Sequence, residues 1–134
     1  EYGKREFNNK EFNIVELEKE VVRKSQVMLD EKQTTVEFKT PEEITVVADD
    51  FYIEQVITNY LTNAIKHVEE KYGNKYIRIE NEVNREKNKV RIKVFNTGEQ
   101  IRAIMSNYGN NYGVINHEDG VEFYIELDLG NLKN

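Results

Sequence analysis

The chain has 134 residues, 38% of them hydrophobic and 33% charged, the make-up of one globular domain with a well-solvated surface and not of a disordered or membrane-spanning chain. A net charge of −6, from 25 acidic and 19 basic residues spread along the chain, argues against a broad nucleic-acid surface, which needs clustered basic residues. The absence of cysteine excludes disulfides, thiolate zinc sites and cysteine nucleophiles and fits a reducing compartment, and two histidines, His67 and His117, are too few for a multi-histidine metal centre.

Residues 1–11 are polar and without periodicity, and read as a lead-in from an upstream region. They carry no apolar core of a signal peptide, and no apolar run in the sequence is long enough for a transmembrane helix. The domain proper is expected over 12–130, with a tail at 131–134. From Ile14, apolar positions at Leu17, Val21, Val22, Met28 and Leu29 predict one amphipathic helix. "TTVEFKT" and "EITVVAD", separated by Pro41, predict a hairpin-like pair of strands.

"ADD" opens the next predicted helix, with Asp49 or Asp50 as N-cap and the other carboxylate favoured in the first turn. That helix is expected to run to about Tyr72, where Gly73 and Asn74 supply a left-handed stop. "KYIRIENEV" and "NKVRIKVFN" alternate and form an antiparallel hairpin about the charged turn "NREKN". A glycine loop, "NTGEQ", precedes a short helix-like piece, "RAIMSNYG". The chain closes with "NYGVIN" and "VEFYIELDL" around "HEDG", where Asp119-Gly120 is a hairpin signal and His117 reads as a solvated turn residue. The order predicts an α+β fold: a two-layer sandwich with one mixed, mostly antiparallel sheet and its helices on one face.

"TNYLTNAIKHV" puts two asparagines in the middle of a helix, where each costs roughly 0.5–0.7 kcal/mol against alanine. On a helical wheel Ile53, Val56, Ile57, Tyr60, Leu61, Ala64, Ile65 and Val68 form the core arc. Asn59, Asn63 and Lys66 stack in a stripe beside it, with His67 between stripe and core. Two readings stand. These are ordinary boundary residues, or two amide oxygens and an ammonium form a row for hydrated Mg2+ and a polyphosphate, because hard cations take oxygen ligands and lysine supplies a point charge.

"NYLTNAIKHV" resembles the N box of sensor histidine kinases, "VFNTGEQI" is similar to that family's first glycine box, and "NYGVINHEDGVEFYIEL" resembles its final hairpin. "EFNIVELEKEV" resembles the first strand and helix, so the resemblance runs from about Phe12 to Leu127 in the right order. It implies the ATP-binding catalytic domain of a two-component sensor kinase, with the Bergerat-type fold shared by gyrase, heat-shock and mismatch-repair ATPases. By position it makes Asn63 the principal Mg2+ ligand, with Asn59 holding the metal or a water. Lys66 would reach the phosphates of ATP, and His67 would lie against the ribose or phosphate tail. Asn96 stands where the family has an acidic residue that accepts from the adenine amino group; an amide oxygen accepts the same bond without charge assistance. Gly98 would let the backbone pass close to the base.

The resemblance also implies partners: ATP or ADP, a histidine-bearing dimerisation domain upstream of Glu1, and a response regulator. It implies a cytoplasmic placement on a membrane-bound sensor, with this piece monomeric because dimerisation belongs to other helices. Two positions depart from the family. Gln100 replaces a second glycine, and the long lid that closes over the phosphates has no counterpart near Ile101 and Arg102. Without a lid, weak ATP binding and little catalysis are expected. The departures keep a second reading open, a non-catalytic docking module of the same fold. A hydrolysing ATPase ranks lower, since the general base expected at Asn59 would be a glutamate.

Overall fold

The computed structural model describes residues 8–39, 42–101 and 111–130. In chain order these form β1 (Lys10–Asn13), α1 (Ile14–Lys24), α2 (Gln26–Glu31), β2 (Val36–Phe38), β3 (Thr45–Ala48), α3 (Asp50–His67), β4 (Ile77–Asn84), β5 (Lys89–Thr97), β6 (Tyr112–His117) and β7 (Gly120–Leu129). The seven strands make one sheet in the order β1-β3-β7-β5-β4-β2, with β6 beside β7. Only β2 with β4 is parallel. The helices lie on one face, so the α+β sandwich expected from the sequence is the observed architecture.

Alternation explains the two faces of the sheet. Val90, Ile92 and Val94 of β5 point to the helices and join Ile57, Leu61 and Ile65 of α3 in the core, while Lys89, Arg91 and Lys93 point the other way. On that outer face Lys89 pairs with Asp128 at 2.7 Å, Arg91 with Glu126 at 2.8 Å and Lys93 with Glu82 at 2.7 Å. Long cationic side chains roof the aromatics there: the Arg91 guanidinium sits 4.0 Å from the Tyr124 ring and that of Arg78 4.9 Å from Phe95. Both rings are therefore buried without a second layer of backbone.

Several local expectations are corrected. Strand β1 begins at Lys10, two residues inside the stretch read as a lead-in, and pairs with β3. The first helix is not continuous. At Ser25 the side-chain hydroxyl donates to the Val21 carbonyl at 3.0 Å, a competitor for the helical ladder, and the chain turns before α2. The hairpin expected between β2 and β3 does not form: β2 pairs with β4 at one edge, while β3 lies between β1 and β7. Alternation marks a strand but not its partner.

Helix α3 stops at His67, well before Tyr72. Val68 is extended and buried, and the Glu69 N–H donates to the Thr97 carbonyl at 3.0 Å instead of continuing the helix. The signal at Gly73 belongs to a tight turn. Lys71 and Asn74 exchange backbone bonds of 2.8 and 3.0 Å across Tyr72 (φ 53°) and Gly73 (φ 83°), the conformation of a type I′ turn. The final hairpin closes through Glu118-Asp119, since His117 pairs with Gly120. The short helix-like piece expected after Ile101 lies outside the described residues.

The most deeply buried carboxylate among the described residues lies in α1. Glu18 of α1 is fully buried, accepts from Asn81 Nδ2 at 2.9 Å, and keeps Oε2 without a hydrogen-bond partner. Burial pushes its carboxyl up from 4.5 to about 7, against a smaller lowering by Asn81. The unfolded chain loses this proton near its ordinary value of 4.5, whereas the folded chain holds it to about 7. Stability from this site is thus complete at low pH and falls as pH rises between those values, by about 3 kcal/mol in all. Glu18→Gln, which keeps the shape and removes the titration, is expected to flatten that slope and to be the more stable protein at pH 8. Denaturant unfolding from pH 5 to 8 checks this; an unchanged slope in the variant refutes it.

Candidate functional site

The amide-bearing helix is placed by its cap and its buried stripe. The Asp49 carboxylate accepts from the Tyr52 N–H at 3.1 Å and from the Asn8 N–H at 2.9 Å, tying the start of α3 to the chain before β1. Ile53, Ile57, Leu61, Ala64 and Ile65 bury the opposite flank. That leaves Asn59, Asn63, Lys66 and His67 exposed along the helix.

Beside α3, where β5 ends and β7 begins, a cavity of about 200 Å3 is lined by Asn63, His67, Asn96, Ile101, Val121 and Phe123. This is below the roughly 300–1,000 Å3 of sites that enclose a whole ligand, and suits one ring system with the remainder of the ligand outside. Ile101, Val121 and Phe123 make its apolar walls. Tyr60 backs Phe123 with ring centroids 5.5 Å apart, and its hydroxyl donates to the Tyr124 carbonyl at 2.9 Å. Burial, helped by neighbouring tyrosines, pushes the Tyr60 phenol up to about 12, so it stays a neutral donor.

Asn96, 5% exposed, is the buried polar group at this cavity. Its Nδ2 donates to the Thr97 carbonyl at 2.9 Å, which turns the amide so that its oxygen is the group left for a ligand donor. A carboxylate here would set an oxygen against the Thr97 carbonyl in place of that donor. Asn96→Asp is therefore expected to cost roughly 2 kcal/mol of stability and to weaken ligand binding, although aspartate is what the family pattern would suggest. Thermal and denaturant unfolding check it; a variant as stable as the parent with tighter binding refutes it.

Gly98 is required by packing. At φ 139°, a Cβ on it would lie 3.0 Å from the His67 carbonyl oxygen and 3.4 Å from the Glu69 nitrogen. The chain leaving β5 thus presses against the end of α3.

The structure brings Asn63, His67 and Asn96 together. It does not bring in Asn59, which lies with Phe51, Glu54, Gln55 and Thr58 on a separate groove, or Lys66, whose carbonyl accepts from Lys32 Nζ at 3.1 Å. Among the described residues no group of three or more carboxylate or imidazole side chains gathers as a metal site, so a divalent cation here would rest on amide oxygens and on its ligand. His117 is corrected: it ends β6 half-exposed, with Nε2 2.9 Å from Glu122 Oε1 and its ring edge-on to Phe95 at 5.8 Å. Val121 and Phe123 carry no motif that marks them for the site. They reach it only through sheet register, with Val121 opposite Asn96.

The sequence matches no family model and no curated protein. The fold does find counterparts. The catalytic domain of histidine kinase ThkA, solved free of nucleotide, superposes with a TM-score of 0.77 at 28% identity, over 91% of this chain and 96% of that one. This chain carries the histidine kinase catalytic-domain fold. ThkA in complex with the response regulator TrrA matches the kinase fold at 25% identity and a TM-score of 0.73, over 91% of this chain and 42% of ThkA. Full-length ShkA in complex with AMPPNP matches at 18% identity and a TM-score of 0.76, over 97% of this chain and 33% of ShkA. No described helix of this kinase fold is long and apolar enough to cross a membrane.

Proposed function

We propose that the chain binds Mg2+-ATP and serves as the phosphoryl-donor half of a two-component sensor kinase, passing the γ-phosphoryl group to a histidine on a separate dimerisation domain. The observation that carries this is the meeting of Asn63 and His67 from α3 with Asn96 from β5 around one small, apolar-walled cavity. The donor set fits the group. The Asn96 oxygen accepts from an exocyclic amino group, while Val121, Phe123 and Ile101 cover a planar base. Asn63, exposed at the rim, offers an amide oxygen to Mg2+ without adding negative charge beside an anionic nucleotide.

Asn59, one turn back along α3 on a separate groove, would serve as a ligand to the metal or its water, with the triphosphate extending along the helix from the base cavity. Lys66 supplies a positive charge to phosphate oxygens from the exposed side of the helix, and His67 contacts the ribose or phosphate tail. When bound, Mg2+ neutralises charge on the transferring phosphoryl group. The residues of this chain bind, orient and keep water from the base. A monomeric catalytic unit, acting with a dimerisation domain, a response regulator and a cytoplasmic location on a membrane-bound sensor, completes this reading. It is supported by the kinases of like fold, among them ThkA, solved with TrrA.

Non-catalytic docking is the second reading, favoured by Asn96 in place of an acid and by the short connection between Ile101 and Asn111. Titration with ATP in the presence and absence of Mg2+, followed by phosphoryl transfer in a longer protein that includes the dimerisation helices, separates the two. Mg2+-dependent binding and transfer support the kinase reading. Partner binding without any nucleotide effect supports docking.

A further inference from the structure

The chain leaving β5 is anchored as no turn pattern in the sequence requires. The Asn116 side chain on β6 uses both ends of its amide on one residue: Oδ1 accepts from the Ile101 N–H at 3.0 Å, and Nδ2 donates to the Ile101 carbonyl at 2.7 Å. One residue earlier, Gln100 Nε2 donates to the His117 carbonyl at 3.1 Å. The Gly98 N–H donates to the Asp119 carbonyl at 3.0 Å, and Lys71 pairs with Glu99 at 3.0 Å. Four successive residues, Gly98 to Ile101, are therefore tied to neighbouring chain.

Register shows what this does to the cavity. Asn116 lies opposite Val121, and Val121 lies opposite Asn96, so the three form a row across β6, β7 and β5 on the helix-facing side. Val121 and Asn96 line the cavity, and so does Ile101, the residue that Asn116 grips. We propose that Asn116 is a positioning residue for the base end of this site, holding Ile101 in place over the Asn96–Val121 floor before any ligand arrives. The inference rests on the nucleotide reading given above and deepens it.

An amide suits the task because a peptide unit presents one donor and one acceptor, and asparagine answers both. Alanine answers neither, and aspartate answers the N–H while repelling the carbonyl. Without the clamp Ile101 has to be ordered at the moment of binding, and that lost preorganisation appears as weaker affinity for the base. Gln100 also gains a meaning: the side chain at the position where the family has a second glycine adds an anchor to the same hairpin.

The test measures adenosine and Mg2+-ADP binding to the intact chain, together with amide exchange at Ile101, in the parent, Asn116→Ala and Asn116→Asp. Asn116→Ala is expected to bind both ligands about tenfold more weakly and by the same factor, because the wall touches only the base. Its Mg2+ dependence stays unchanged and its Ile101 amide exchanges faster, with Asn116→Asp in between. Parental affinity for both ligands, or an Ile101 amide as protected as in the parent, overturns the proposal while leaving the nucleotide reading intact. A parent chain that binds neither ligand overturns the nucleotide reading itself.

Discussion

Asn63→Ala is expected to weaken Mg2+-dependent ATP binding by at least about 100-fold while leaving the fold as stable as before. Both halves follow from where the residue sits. Asn63 is exposed on α3 at the rim of the cavity, still inside the helix one turn before its end at His67, so its removal leaves no hole and no orphaned buried group. Alanine is the better helix former by roughly 0.5–0.7 kcal/mol, and any change in unfolding free energy is expected to be small and in the stabilising direction.

The affinity loss is large because the residue is proposed as a direct ligand to the cation, and even groups that only support such ligands are worth about 10–100-fold. Adenosine, which carries no phosphate, should bind the variant as it binds the parent. Asn59→Ala, on the neighbouring groove, should lose less, on the order of tenfold. Calorimetric titration of both ligands with and without Mg2+ measures these effects. Undiminished Mg2+-ATP affinity in Asn63→Ala would remove the proposed role of the helix.

Gly120→Ala is expected to destabilise the protein by about 3 kcal/mol or more and to abolish nucleotide binding with it. Gly120 starts β7 directly opposite Thr97, and a Cβ there would stand 2.0 Å from the Asn96 carbonyl oxygen and 2.7 Å from the tip of the Phe95 ring. The first clash is with backbone held in the β5–β7 ladder, which no side-chain rotation relieves. Overpacking of this kind usually costs about 1–3 kcal/mol, and an overlap with ladder backbone belongs at the upper end or beyond. Relief by moving β5 displaces Asn96, whose amide faces the cavity, and relief by moving β7 displaces Val121 and Phe123. Denaturant unfolding measures the loss; a cost under about 1 kcal/mol would show that the hairpin yields more freely than this packing implies.

Much of the fold was legible because burial periodicity is a local property. Helix α3, the β4–β5 hairpin and the β6–β7 hairpin each follow from spacing alone. Asn63 is marked by its place on the helical stripe, and the roles of His67 and Asn96 by the family resemblance alone. Other features were not legible, and for definite reasons. Gly73 carries the same conformational signal in a type I′ turn as at a helix end, and what decides between them is the Glu69 bond to Thr97, a residue far along the chain. Alternation in β2 and β3 is equally consistent with pairing to each other or to distant strands. Asp119-Gly120 reads as the centre of a hairpin turn, whereas Gly120 is a strand residue demanded by contact with Asn96.

Sequence by itself determined the faces: which residues of each element are apolar enough to seek the core, and that two amides and a lysine form one stripe beside the core arc of one helix. Tertiary structure alone decided the partners. It set β2 against β4, ended α3 at His67, turned the Asn96 amide with the Thr97 carbonyl, and set Asn116 on Ile101. A face is fixed by the hydrophobicity of neighbours one turn or two residues away. A partner is chosen only when the whole sheet settles its register, and no local pattern contains that sum.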